Sequence, residues 1–444
     1  MTKRQRASRK ELLGWAMFDF ANSSYTTVII TVVFCVIFPR IIVGDGPQYR
    51  LGNLLWSVSL SISYLIVLLS VPFFGALMDY TAAKKKFLFA SYLLTVLGTA
   101  SLYFVGPGDI LLGMLLIILS NVGFSYGESF VASFLPVLGP PEDLGKISGY
   151  AWGLGYFGGL LSTAAVIFGL QADRITLENF RNLKLVGPMT GLFFLIAAIP
   201  TFLWLRERAV PRPLPENETY FSVGWKRLRK TFRDIRDYRD LMILLASFFF
   251  AYSGLSIVIS FAFIYGDQVV QWSRGTQVYM FVLTQITAAA GALLFGFLQD
   301  KWKAKPTFMS TLVLWMAAVS LIYAVAEITS LANRLMGTSF KEEHIFLAIG
   351  CIAGLGIGST QSSCRAMVGL FSPDTKAGEF FGLWSFAGRL SAIFGLMSLG
   401  LLQALTGLRQ GILVCSLFFG LSFVIVLLVD EKRGKRAAAR HSGE

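Results

Sequence analysis

Four ionisable residues interrupt stretches that are otherwise apolar: Asp19 within GWAMFDFANSSY (residues 14–25), then Glu128, Arg365 and Arg389. A charge in hydrocarbon costs roughly 2.5 to 3.5 kcal/mol on insertion scales, so each such residue implies a use. Guanidinium offers a planar fork suited to carboxylate. Arg365 is therefore expected to anchor a carboxylate of a bound solute, with Arg389 second and Gln361 alongside. Burial penalises the charged form of a carboxylate and lets it carry a proton near neutrality. Asp19 and Glu128, with Asn22 beside Asp19, are the candidates for an amino group or a coupling proton. The structural alternative is a set of permanent ion pairs between helices.

The elements that must position these groups are membrane helices. The chain has 444 residues, 55% of them hydrophobic and 15% charged, with a mean hydropathy of +0.63. A span needs about 20 apolar residues to cross about 30 Å of hydrocarbon. Twelve are expected, near residues 15–43, 53–78, 87–106, 109–138, 147–170, 188–206, 241–266, 276–299, 307–330, 345–371, 379–405 and 410–430. At 1.5 Å per residue the four charges lie about 8, 15, 10 and 15 Å from their cytosolic ends, in one layer. The first span is too long for a signal-peptide core and is read as retained. Little chain remains for a soluble domain. Cys35, Cys351, Cys364 and Cys415 fall in spans at scattered spacings, which suits packing and not a disulfide framework or metal site. His344 is expected in a loop and His441 in the tail, so no histidine relay is available within the spans. With no paired histidines, nucleophile motif or zinc spacing, neither catalysis, a metal nor a cofactor is expected.

The net charge of +13 is unevenly distributed. Of 39 lysines and arginines, 28 fall on the side of the termini, 9 on the other, and Arg365 and Arg389 within spans. The positive-inside rule then places both termini in the cytosol, with a bacterial inner membrane as the expected location. The stretch GWKRLRKTFRDIRDYRD is read as a basic surface helix against anionic headgroups, in preference to a nucleic-acid patch. The expected domains are a six-helix bundle over 1–206, a basic linker over 207–240, a second bundle over 241–430 and a basic tail over 431–444. The NET triplet at Asn217 has the form of a glycosylation site, which a cytosolic loop would leave unmodified.

Internal repeats fix the architecture. GALMDYTAAKKK from Gly75 and GFLQDKWKAK from Gly296 share G-x-L-x-D with a lysine five residues after the aspartate: Gly75, Asp79 and Lys84 match Gly296, Asp300 and Lys305. Pro140, Gly145, Gly149 and Gly155 match Pro373, Gly378, Gly382 and Gly388, and AMFDFANSSYTTVII matches ASFFFAYSGLSIVIS, where Asp19 and Asn22 become Phe249 and Tyr252. Two parallel repeats of six spans are the organisation of major facilitator transporters, whose signature the G-x-L-x-D segments resemble, although Tyr80 and Ala82 stand where a basic residue and a glycine are expected. Asp79 and Asp300 are expected to cap helix N-termini, such as those of spans eleven and five, and with Gly75, Lys84, Gly296, Lys305 and Glu379 to form gates. Gly149, Gly153, Gly155 and Gly159, and Gly350, Gly354 and Gly358, are read as packing positions.

The segment GWAMFDFANSSY followed by Phe38-Pro39, and QSSCRAMVGLFSPDTKAGEFFGLWSFAGRLSAIFG from Gln361, resemble the vacuole effluxer family, the autophagy-related branch of the major facilitator superfamily. The first is similar to its W-A-x-Y-D-x-A-N-S segment. The second is similar to its Q-x-x-S-R segment leading into E-F-F-G and a glycine-basic pair, here Gln361, Arg365, Glu379 to Gly382, and Gly388 with Arg389. The resemblance implies a secondary transporter rocking two bundles around a mid-membrane cavity, with amino-acid efflux as the activity credited to fungal members. It also implies that Asp19, Glu128 and Arg365 line the central path. Departures are Tyr252, Ser253 and Gly254 where the family often carries Asn-Asp-Gly, and the absence of an asparagine near Ala132. The expected partners are a small organic solute, protons and the lipid bilayer, with no nucleic acid, in a monomer. The rival reading is a transporter-like lipid scramblase or a membrane sensor.

Overall fold

The computed structural model describes residues 6–440 apart from 45–49, 173–174, 210, 212, 215–217 and 234–237. His441, Asn217 and residues 234–237 of the basic stretch lie outside the described residues. Among the described residues twelve helices are long and apolar enough to span a bilayer: Arg9–Val43, Leu51–Thr81, Lys84–Phe104, Ile110–Val137, Leu144–Leu170, Phe180–Trp204, Arg239–Val270, Gly275–Trp302, Ala304–Tyr323, Glu342–Phe371, Asp374–Gln403 and Leu408–Leu427. They are spans one to twelve. Among the described residues every regular element is helical, and the protein is an integral, multi-pass membrane protein.

Three details depart from the expected boundaries. Span one starts at Arg9, where the Ser8 hydroxyl accepts from the Glu11 N–H at 3.3 Å. Asp19 is thus ten residues, about 15 Å, along the helix and not about 8 Å. Span nine stops at Tyr323, short of residue 330, because the chain breaks at Ala324 into a separate helix, Val325–Met336. That helix is held by Glu327, whose carboxylate takes Arg409 Nη2 at 2.5 Å. His344 is not in a loop: it occupies the first turn of span ten, where its Nδ1 accepts from the Lys341 N–H at 3.3 Å.

The spans form two compact units that each borrow a segment. The first comprises Met1–Pro140, Leu154–Lys230 and Thr375–Ser385; the second comprises Pro141–Gly153, Thr231–Asp374 and Phe386–Glu444. In the first, Trp15 is buried and its Nε1 donates to the Val131 carbonyl at 2.7 Å, while Phe18 meets Phe194 edge-on at 5.8 Å. In the second, buried Trp315 stacks on Phe419 at 5.2 Å and donates to Thr360 Oγ1 at 2.9 Å. Gly356 leaves room for that indole, since a Cβ there would stand 2.8 Å from its ring. Spans eight and ten close on each other at Gly350, Gly354 and Gly358, whose Cβ positions are taken by Met280, Thr287 and Ala288. Small residues let apolar helices approach and gain dispersion contact.

The sequence repeat reappears as a repeat of polar contacts at the ends of the spans. In the first unit Glu11 accepts from the Arg206 N–H at 3.4 Å and pairs with Arg208 at 2.6 Å, while the Lys85 N–H donates to Glu207 and Lys85 Nζ to the Leu205 carbonyl. In the second, Asp240 accepts from the Asp430 N–H at 2.8 Å and pairs with Arg433 at 2.6 Å, while the Lys305 N–H donates to Glu431 and Lys305 Nζ to the Leu427 and Val429 carbonyls. Each clasp ties the first span of its repeat to the residues after the sixth. A lysine on the third covers the carbonyls that the sixth leaves open.

Removing a buried acceptor that serves a charged donor costs about 1.5 to 3 kcal/mol. Asp240→Ala is therefore expected to destabilise the chain by about 2 kcal/mol in thermal unfolding, whereas Lys435→Ala, which breaks a surface pair with Glu431, should change it by less than about 0.5 kcal/mol. The Arg433 N–H and then the Lys432 N–H hold the Asp430 carboxyl below the usual carboxylate range. A depressed folded pKa adds stability that is present above the unfolded value and lost as pH falls through the folded one. Hydrogen exchange should accordingly show the tail helix, Glu431–Arg440, fraying first in acid.

Candidate functional site

Asp79 and Asp300 each close a span and accept from the start of another helix. In the first unit Asp79 Oδ2 accepts the Glu379 N–H at 2.9 Å, in the first turns of span eleven, and Oδ1 lies 3.0 Å from Lys84 Nζ. In the second unit Asp300 Oδ1 and Oδ2 accept the Gly145 and Lys146 N–H groups, both at 3.1 Å, at the start of span five. Lys146 Nζ stands 3.6 Å from the same carboxylate. The first N–H groups of a helix lack intrahelical partners and carry its positive end, so a carboxylate there satisfies both needs. The backbones can meet because glycine lies on both sides. A Cβ on Gly296 would stand 2.7 Å from the Gly145 carbonyl oxygen, and one on Gly378 2.7 Å from that of Gly75.

The two copies differ by one residue. Span three begins at Lys84, five residues after Asp79; span nine begins at Ala304, four after Asp300. The counterpart of Lys305 is thus Lys85, and Lys305 serves the clasp instead of standing beside Asp300. Lys84, which the repeat aligns with it, is buried between Asp79 and the Ser133 carbonyl, 3.4 Å away. The two departures from the signature also acquire reasons. Tyr80 donates its hydroxyl to the Pro213 carbonyl at 2.6 Å, anchoring the linker, and Ala82 adopts φ 50°, the left-handed conformation for which a glycine is the usual choice.

The intramembrane charges are segregated by sign. Asp19 and Asn22 on span one and Glu128 on span four belong to the first unit; Gln361 and Arg365 on span ten and Arg389 on span eleven belong to the second. Asp19 and Glu128 are partly exposed and Asn22 is buried, with Oδ1 accepting no hydrogen bond. Span five lies against span one here: the Cβ position of Gly155 is 3.0 Å from Ser23 Oγ and 3.4 Å from the Asp19 carbonyl. Arg365 is 2% exposed. Its Nε donates to Ser148 Oγ at 3.1 Å and its Nη2 to the Ser148 carbonyl at 3.0 Å, while the guanidinium carbon stands 5.1 Å over the Trp152 ring. Ser148 Oγ in turn donates to the Ser362 carbonyl at 2.9 Å. Ser148 and Trp152, one turn apart on span five, fix the guanidinium plane.

Sequence reasoning missed Ser148, Trp152, Lys146 and Arg227 as partners of these groups. Lys146, beside Gly145 in the repeat, was the one with a signal; a serine and a tryptophan in an apolar span carry none. Arg227 Nη2 donates to the Thr375 carbonyl at 3.1 Å and approaches buried Glu379 at 4.0 Å, both in the first unit.

Two parallel six-span repeats, each with an aspartate capping a helix start, define a membrane transporter of the major facilitator class. The solved structure of the MFS proton:xylose symporter XylE has this fold, with a TM-score of 0.67 over 96% of each chain at 13% identity. The family model described as "Vacuole effluxer Atg22 like" matches residues 55–439, and the chain belongs to that family. The MFS-type transporter YxiO of Bacillus subtilis (strain 168) is 26% identical over 428 residues, 95% of each chain. Autophagy-related protein 22 of Coccidioides immitis (strain RS) is 25% identical over 442 residues, covering 85% of this chain and 72% of that one.

Gly378→Ala would place a methyl 2.5 Å from Met78 Cε and 3.0 Å from Asp79 Oδ1, and is expected to cost about 1 to 3 kcal/mol in thermal unfolding. Ala82→Gly in the same region should have the opposite sign, a gain of up to about 1 kcal/mol as left-handed strain is relieved.

Proposed function

We propose that the protein is a secondary active transporter that moves a small organic solute by alternating access, with amino acids the favoured class and a proton as coupling ion. The observation that carries this is the separation of intramembrane acids and arginines between the two units. Asp19, Glu128 and the open acceptor Asn22 Oδ1 suit an ammonium group or a proton; Arg365, with Gln361 and then Arg389, suits a carboxylate. Ser148 and Trp152 support Arg365 in one orientation, as a carboxylate anchor requires. Gly75, Asp79, Lys84 and Glu379, and Gly296 and Asp300, act as gates whose contacts form and break between states. The excess of lysine and arginine on the side of the termini supports a cytosolic placement of both, in a bacterial inner membrane, and the protein works as a monomer. Family and fold favour solute transport over lipid scrambling or sensing.

Screening the purified chain by thermal shift against amino acids, peptides and lipids tests the substrate class, because a ligand that binds the folded state raises its melting temperature by mass action. Flux of the best ligand into reconstituted vesicles then tests transport. Asp19→Asn is expected to leave the melting temperature of the free protein near that of the parent and to abolish the pH dependence of flux; an unchanged pH profile rejects coupling through Asp19.

A further inference from the structure

The helix Tyr220–Arg233 between the repeats has two faces with different duties. Inward, Val223 is buried, Gly224 abuts Phe73 of span two with its Cβ position 2.8 Å from the ring, and Arg227 reaches the Thr375 carbonyl and Glu379. Outward, Phe221 is 70% and Trp225 58% exposed, and at 100° per residue they lie to one side of Lys226, Arg229 and Lys230, all exposed. Aromatic residues on one side of the exposed arc and cations on the other match the boundary between acyl chains and headgroups.

The height of the helix agrees. Span two has 31 residues, about 46 Å of helix against about 30 Å of hydrocarbon, so its ends project. Phe73, which meets the Phe221 ring at 5.0 Å, lies about 12 Å before the end of that span, close to the boundary. Tyr80 holds the preceding linker through Pro213.

We infer that the helix Tyr220–Arg233 binds anionic phospholipid headgroups through Lys226, Arg229 and Lys230, and that this seating keeps Arg227 on the first turn of span eleven. The bilayer then acts on the Asp79–Glu379 contact through one side chain. This rests on membrane insertion and on contacts within the first unit, not on the identity of any solute.

Hydrogen exchange of the full chain tests it, in nanodiscs of phosphatidylcholine alone and of an equal mixture with phosphatidylglycerol. The anionic lipid is expected to slow exchange over 218–230 and 375–385 on the order of tenfold, an effect that high salt erases. K226Q/R229Q/K230Q should abolish the response of both segments while exchange in the twelve spans stays as in the parent. R227Q should keep the lipid response of 218–230 and lose that of 375–385. Equal rates for the unmodified chain in the two lipids overturn the proposal, as does a triple variant that still responds. Slowing by inorganic phosphate or an acidic peptide in neutral discs overturns the lipid assignment. A lipid response of 375–385 that survives R227Q overturns the coupling.

Discussion

The structure depends on how closely two backbones can approach at a glycine pair. In the first unit Gly75 and Gly378, and in the second Gly145 and Gly296, bring the last turns of an even-numbered span against the first turns of another helix at distances no side chain allows. Only then can an aspartate one turn further on reach N–H groups that would otherwise lack partners. Such bonds to a charged acceptor are worth about 1.5 to 3 kcal/mol each, comparable with a whole apolar side chain. The borrowed segments, Thr375–Ser385 in the first unit and Pro141–Gly153 in the second, are the helix starts that these aspartates hold.

The two copies reach the same end by different electrostatics. Asp300 takes two N–H groups and a half-exposed lysine, so its charge is spread over donors that need little desolvation. Asp79 takes one N–H and a buried ammonium, Lys84, whose removal from water offsets much of its attraction. The single residue inserted before span three causes the difference: it turns Lys84 inward and leaves Lys85 to do what Lys305 does in the second unit. A lysine in the same register of the motif thus serves the aspartate in one copy and the clasp in the other.

Twelve spans, their repeat and both aspartates were legible in the sequence because each has a signal that survives without partners: length of apolar run, constant offset, a carboxylate at a span end. Boundaries shifted where a cap or break was local. Ser8 lengthened span one, Ala324 shortened span nine, and the His344 ring completed the start of span ten. The support of Arg365 was not legible, since a serine hydroxyl, a carbonyl and an indole face advertise nothing in an apolar helix. The clasp partner of Lys305 was not legible either, because only the helix start at Ala304, one residue earlier, sets the register in which its N–H meets Glu431.

Spans one and seven begin 230 residues apart, so Phe249 occupies in the second unit the position of Asp19 in the first. Phe249 packs tilted against Phe394 with ring centroids 5.2 Å apart, and Phe394 likewise against Phe418 at 5.5 Å, an aromatic contact that needs no polar group. The six-span architecture is therefore satisfied at this position by packing alone. An acid there adds a solvation cost that the fold does not require, and Asn22, one turn on, adds a buried acceptor that no donor meets. Buried polar atoms in native structures are satisfied with few exceptions. The polarity of this face of span one, a partly exposed Asp19 and the open acceptor of Asn22, therefore belongs to one repeat and is not demanded by six-span packing.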